Sequence, residues 1–169
     1  MLKLSTEFVV AFLEGTRNTL KIQCGIDATP EKPFLKGTHP EPQVALTGII
    51  GMISDQFNGN IHLSFTESAF LAIMGKMLGE EFKSITDELS SGASEMLNII
   101  YGSAKTVLNK QGYNIRTAIP TVIRGHDIRI KTVTSSPTII LPFKTQFGDF
   151  FLEITEQQNW IDPATKPNA

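Results

Sequence analysis

Residues 88–109 read ELSSGASEMLNIIYGSAKTVLN, and their spacing sets the frame for the rest of the chain. At about 100° per residue, Leu89, Met96, Leu97, Ile99, Ile100, Ala104, Val107 and Leu108 spread over a wide apolar arc. Ser91, Glu95, Asn98, Gly102, Lys105 and Asn109 fall in one narrow polar stripe. The pattern predicts a helix from about Asp87 to Gln111, stopped by Gly112, with its broad face buried and its stripe turned to solvent or a partner. Gly102 lies inside the stripe, where glycine costs about 1 kcal/mol relative to alanine. Helix–helix crowding accounts for it, and so does a partner surface that comes close to the backbone. Glu95 and Asn98 stand one turn apart and point the same way. A carboxylate can anchor a lysine, and a carboxamide can donate and accept around a water molecule. An amide is too weak a base to take a proton, so Asn98 can only position a nucleophile. Two solvated surface residues would look the same in isolation.

Upstream, Thr6–Ile22 has Phe8, Phe12 and Leu13 at helical spacing, with Ser5 or Thr6 as cap. Cys24–Pro42 holds four prolines and two glycines and reads as loop or edge structure. Val44–Ile53 and Ile61–Phe65 flank Asn58-Gly59 and predict a hairpin turning on that pair. Thr66–Leu78 reads as a helix capped by Thr66 and closed by Gly79. Downstream, Ile115–Ile123, Ile128–Val133, Thr138–Phe143 and Phe150–Ile154 read as strands. Residues 1–155 are expected to form one domain, and 156–169 a polar tail that carries Trp160.

The two halves echo each other. Gln56-Phe57-Asn58-Gly59 precedes Ile61–Phe65 much as Gln146-Phe147-Gly148-Asp149 precedes Phe150–Ile154, and Gly15-Thr16-Arg17-Asn18-Thr19-Leu20 resembles Gly102-Ser103-Ala104-Lys105-Thr106-Val107. Offsets near half the chain point to a duplication in which each half is a long helix followed by strands.

Composition narrows the function classes. Apolar residues make up 41% and charged residues 19% of the 169, and the formal charge is −2. That is globular composition with no bulk electrostatic case for nucleic acid or an anionic membrane. A single cysteine, Cys24, excludes an intramolecular disulfide and a cysteine zinc cluster. It reads as a small buried apolar residue. The six-residue apolar run Phe8–Leu13, which no other run exceeds, is too short to span a bilayer, and a cytoplasmic protein is expected. His39, His62 and His126 are scattered over a loop, a strand and a turn, where structural or surface roles suit them. From Ile99 to Gly148 seven cations, Lys105 among them, stand against Asp127 alone. Solvated strand faces explain them, and a basic side that steers an acidic partner is the sharper reading.

The stretch Glu88–Gly102 resembles the signature of the chemotaxis phosphatases CheX and CheC: Asp or Ser, then Glu four residues on, Asn three further, and a small residue one turn later, here Ser91, Glu95, Asn98 and Gly102. The likeness continues through Ala104–Leu108, Gly112-Tyr113, Ile119-Pro120-Thr121-Val122, Ser136-Pro137 and Leu141-Pro142-Phe143, and is nearest to CheX. It implies an α+β, CheC-like fold: internally duplicated halves forming a largely antiparallel sheet with long helices packed on it. It also implies an enzyme that removes the phosphoryl group from the aspartate of a CheY-type receiver in two-component signalling. By that resemblance Asn98 would orient the attacking water and Glu95 would pair with the receiver's lysine; Ser91, which stands where the family often has an acidic residue, and Gly102 and Lys105, which share the stripe, are the expected partner-binding positions. The chain would need no cofactor of its own, magnesium being held by the receiver. CheC-like members often carry two such motifs and CheX-like members one. Aligned through Gly15 and Gly102, Phe8 and Ala11 replace Glu95 and Asn98 in the first helix, so one site per chain is expected. The branch commonly forms homodimers through sheet edges.

Two rivals differ in class. A binding or flagellar-switch module of the same fold would dock without chemistry. A small-molecule hydrolase using Glu95 as general base would need a concave pocket over the stripe.

Overall fold

The computed structural model describes residues 5–55, 58–116, 118–133 and 136–157. Three helices, α1 (Thr6–Cys24), α2 (Glu67–Leu78) and α3 (Asp87–Lys110), pack on one face of a sheet. Its strands are β1 (Thr29–Pro30), β2 (Phe34–Leu35), β3 (Leu46–Ile53), β4 (Asn58–Phe65), β5 (Thr121–Arg124), β6 (Thr138–Thr145) and β7 (Gly148–Glu156). The order is β1-β6-β7-β4-β3-β5, with β2 also on β6, and every pairing is antiparallel.

Each helix start is fixed by a hydroxyl. Ser5, Thr66 and Thr86 accept the N–H of Phe8, Ala69 and Leu89 respectively, each such cap supplying about 1 kcal/mol. Gly25 and Gly79 close α1 and α2 at positive φ, 65° and 73°. Alternation then sorts the strands. Leu46, Ile50 and Met52, Ile61, Leu63 and Phe65, and Phe150, Leu152 and Ile154 all face the helices and are buried.

The duplication is visible as a pseudo-twofold arrangement about β4 and β7. Leu63 stands opposite Leu152, 89 residues further along the chain. The same interval superposes buried positions of the two long helices: Phe8 on Leu97, Ala11 on Ile100, Phe12 on Tyr101 and Gly15 on Ala104. The Phe12 and Tyr101 rings approach to 6.5 Å across the helix crossing. The Gly15–Gly102 alignment is therefore two residues out of register. Gly15 is buried against α3, whereas Gly102 faces open space. In the structural register Thr6 and Val9 correspond to Glu95 and Asn98, and the first helix still lacks an acid–amide pair.

Other expectations shift for local reasons. Asn58-Gly59 does not make the turn. Both residues lie in β4, opposite Ile53 and Met52, and the Asn58 side chain accepts from Ser54 N–H (3.2 Å) at the mouth of a longer loop. Among the described residues of the run Ile115–Ile123 only the β5 portion forms a ladder, starting just after Pro120, which offers no donor. Ile128–Val133 forms no ladder either. It crosses the far face of the sheet, held by Ile128 N–H on Val44 O (2.9 Å) and by the Lys36 ammonium on Ile130 O (2.6 Å). Trp160 lies outside the described residues.

That far face is polar and buried. Thr47, His62, Ser64 and Glu153 are all less than one-tenth exposed, and Lys36 pairs with Glu153 at 2.9 Å. His62 stands opposite Glu153, and its Nδ1 has no hydrogen-bond partner among the described residues. Burial lowers the His62 pKa below the usual 6.5, the Lys36 charge adds to this, and Glu153 opposes it. The folded state thus takes up the proton less readily than the unfolded chain, and stability falls as pH drops through 6.5 and below. Urea midpoints at pH 7.5 and 5.5 should show this loss, and His62→Gln should flatten it.

Candidate functional site

Two glycines let α3 sit where it does. A Cβ on Gly48 of β3 would lie 3.2 Å from Leu97 Cδ2, and one on Gly15 of α1 would lie 3.4 Å from Ile100 O. Sheet and neighbouring helix thus approach α3 at backbone distance, burying Ala93, Met96, Leu97, Ile100, Tyr101, Ala104 and Leu108. At the start of the helix, Arg124 of β5 ties it down, with Nη2 on Asp87 Oδ1 and Nη1 on Ile85 O, both 2.8 Å. At its far end Asn109 Oδ1 accepts Ile115 N–H at 2.7 Å. These contacts set the rotation of α3 and leave the stripe facing outward.

Within that stripe Glu95 and Asn98 are both exposed and make no hydrogen bond or ion pair among the described residues. Residues three apart on a helix hold their Cβ atoms about 5–6 Å apart, so acid and amide can engage one partner site together. Ser91 is exposed, but its hydroxyl donates to Glu88 O at 2.5 Å, so its own helix occupies it. Gly102 has nothing within 4 Å of where a Cβ would be. No contact within the fold requires a glycine there. Lys105 is half-buried on the same face.

The stripe differs from its helical-wheel outline at both margins. Asn109 is committed to the following loop. Val107, assigned to the apolar arc, is 46% exposed, and Ile99 is only half-buried. Ser103 and Thr106 extend the outer face, and the Thr106 hydroxyl is spent on Gly102 O (2.9 Å). No motif marks these residues; only the width of the contact with the sheet reveals them.

Three of the seven cations between Ile99 and Gly148 are held in ion pairs. Arg124 is held by Asp87, Arg129 by Asp127 and Glu41, and Lys144 by Glu31. The His39 ring lies tilted against Phe34 (4.3 Å between ring centres), His62 is under the polar face and His126 is exposed in a turn. Cys24 is buried, and burial pushes its thiol up to about 11. Three clefts lie near Glu153, at the start of α2 and beside Gly51, and neither Glu95 nor Asn98 borders any of them. The hydrolase reading therefore gains no pocket from them. No helix among the described residues is long and apolar enough to cross a membrane.

Residues 46–144 match the family model described as chemotaxis phosphatase CheX, more than half of the chain and including all of α3. The chain is 27% identical over 130 residues to the CheY-P phosphatase CheX of Thermotoga maritima, covering 76% of this chain and 83% of that protein. It superposes on a CheC-like superfamily protein from Shewanella sp. PV-4 with TM-score 0.85 and 32% identity, over 91% of this chain and 99% of that one. It shares its fold with the protein of the CheX-CheY-BeF3-Mg2+ complex from Borrelia burgdorferi, at TM-score 0.76 and 22% identity, covering 89% of this chain and 98% of the other.

Proposed function

The chain belongs to the CheX family of chemotaxis phosphatases, and we propose that it accelerates loss of the aspartyl phosphate from a CheY-type receiver, using Glu95 to dock and Asn98 to orient the water. The observation that carries this reading is the outward, unengaged Glu95–Asn98 pair on a helix clamped by Gly15 and Gly48.

The chemistry needs little else. Water attacks phosphorus in line, the bond from phosphorus to the aspartyl oxygen breaks, and the carboxylate is restored as inorganic phosphate leaves. In a loose transition state the attacking water carries little charge, so placing it matters more than deprotonating it. The Asn98 carboxamide can accept a hydrogen bond from that water through its oxygen and donate through its nitrogen. The Glu95 carboxylate, one turn away, can pair with the receiver's active-site lysine and set the register of the two proteins. Charge neutralisation on the phosphoryl group is left to the receiver's own magnesium ion.

Gly102, one turn beyond Asn98, leaves the helix backbone open to the docking surface. Gly102→Ala should raise the melting temperature slightly, since nothing crowds the new methyl group and glycine costs about 1 kcal/mol. Gly102→Leu should fold equally well yet raise KM for the phosphorylated receiver severalfold. A Gly102→Leu variant with unchanged KM would remove this residue from the docked surface. The wider proposal includes action in the cytoplasm and a homodimer joined edge to edge. The free edge of β5, with Ile123 39% exposed, supports the dimer. Phosphate release from a phosphorylated receiver in magnesium, with and without this protein, tests the activity. Faster release supports it, and an unchanged rate contradicts it.

A further inference from the structure

Gly15 and Gly48, which bring α1 and the sheet against α3, both belong to its neighbours. Where α2 meets α3 the small residue is on α3 itself. A Cβ on Gly92 would overlap Met74 Cε and stand 2.9 Å from Met74 Sδ, with Met74 Cγ in ordinary contact at 3.9 Å. Met74 belongs to α2 and is 2% exposed, so its thioether is packed into the core. The end of this methionine therefore occupies the place of a side chain on α3, and α2 bears directly on the backbone of the helix. Gly102 is the opposite case, since nothing lies within 4 Å of a Cβ there.

The order of the contacts along α3 gives this one its consequence. Asn98 lies between Leu97, which meets Gly48, and Ile100, which meets Gly15. Glu95 lies between those two contacts and Gly92. The sheet also backs the turn that carries Gly92, because a Cβ on Gly48 would be 3.6 Å from Ala93 O. A push from α2 is thus taken up by rotation of that turn rather than by retreat of the helix. Such a rotation moves Glu95 and leaves Asn98, bounded on both sides, nearly in place. We propose that Met74 is a positioning residue for docking: through Gly92 it sets where Glu95 stands relative to Asn98, and so whether acid and amide engage one receiver site together. The inference rests on the docking role proposed for Glu95.

A compensating pair of substitutions tests it, with phosphate release from a phosphorylated receiver in magnesium as the readout. Gly92→Ala should raise KM for the receiver roughly tenfold, short of the 10²-fold that a misplacement of about 1 Å can cost, and kcat should fall less than KM rises. Met74→Val removes the terminal sulfur and methyl, leaves a gap against Gly92 and should raise KM as well. The double variant puts a methyl group on α3 in the space that the shortened side chain vacates, and should return KM close to the wild-type value. A fold defect alone removes active molecules, so it lowers the apparent kcat and leaves KM as it was. Wild-type KM in Gly92→Ala would overturn the proposal, and so would a raised KM that the double variant fails to restore. If wild-type protein does not speed phosphate release, the docking reading falls and this inference with it. If wild type is active, Glu95→Lys binds the receiver weakly and Gly92→Ala keeps its KM, this inference alone is wrong.

Discussion

Glu95→Lys is expected to remove nearly all phosphatase activity toward a phosphorylated receiver at sub-saturating concentrations, lowering kcat/KM by about 10³-fold or more. Two effects combine. The variant deletes a charge-assisted contact worth about 1.5–3 kcal/mol, and it brings a second cation to a lysine in a partly dehydrated interface, where like charges cost several kcal/mol. The change is benign for the fold, because Glu95 is exposed and makes no ion pair that the protein would lose. Glu95→Gln separates the two effects: it loses the charge without the repulsion and should fall between wild type and Glu95→Lys. Titration of a receiver held in its phosphorylated-like state by beryllofluoride checks this, since both variants should bind more weakly.

Asn98→Ala is expected to show the opposite split. It should lower kcat by about 10²–10³-fold, the range seen when a reacting group is misplaced or one transition-state hydrogen bond is lost. KM should stay within a few-fold of wild type, because the side chain meets the water rather than carrying the docking energy. Asn98→Asp should not rescue the rate. It replaces an amide that both donates and accepts with a carboxylate that only accepts and that faces the anionic phosphoryl group.

Both expectations rest on a helix whose presentation was largely legible in the sequence. The wheel over residues 88–109 separates Glu95 and Asn98 from Met96, Leu97 and Ile100, and the structure buries the second set and exposes the first. Hydroxyl caps at Ser5 and Thr66 and glycine stops at Gly79 and Gly112 were equally readable, because capping is decided by neighbours within one turn. What escaped was set by long-range contacts. Asn58-Gly59 has the chemistry of a tight turn, yet the pairing of β4 with both β3 and β7 extends the strand through them. Ile128–Val133 alternates like a strand but lies across the polar face instead, held by Val44 O and the Lys36 ammonium rather than by a ladder. The one-turn outline of the docking stripe missed Val107 and Ser103, because the width of a buried face depends on how deeply the helix beds against Gly48 and Gly15. The duplication was visible in the echoes. Its true register appears only in the Leu63–Leu152 pairing and the matching burial of α1 and α3.

Single-turnover decay of a phosphorylated receiver, in magnesium and with this protein in saturating excess, isolates the chemical step from docking. Wild-type protein is predicted to speed the decay well above the receiver's own rate, and Asn98→Ala at the same occupancy to return it nearly to that rate. Equal acceleration by wild type and Asn98→Ala would contradict the assignment of water positioning to this amide.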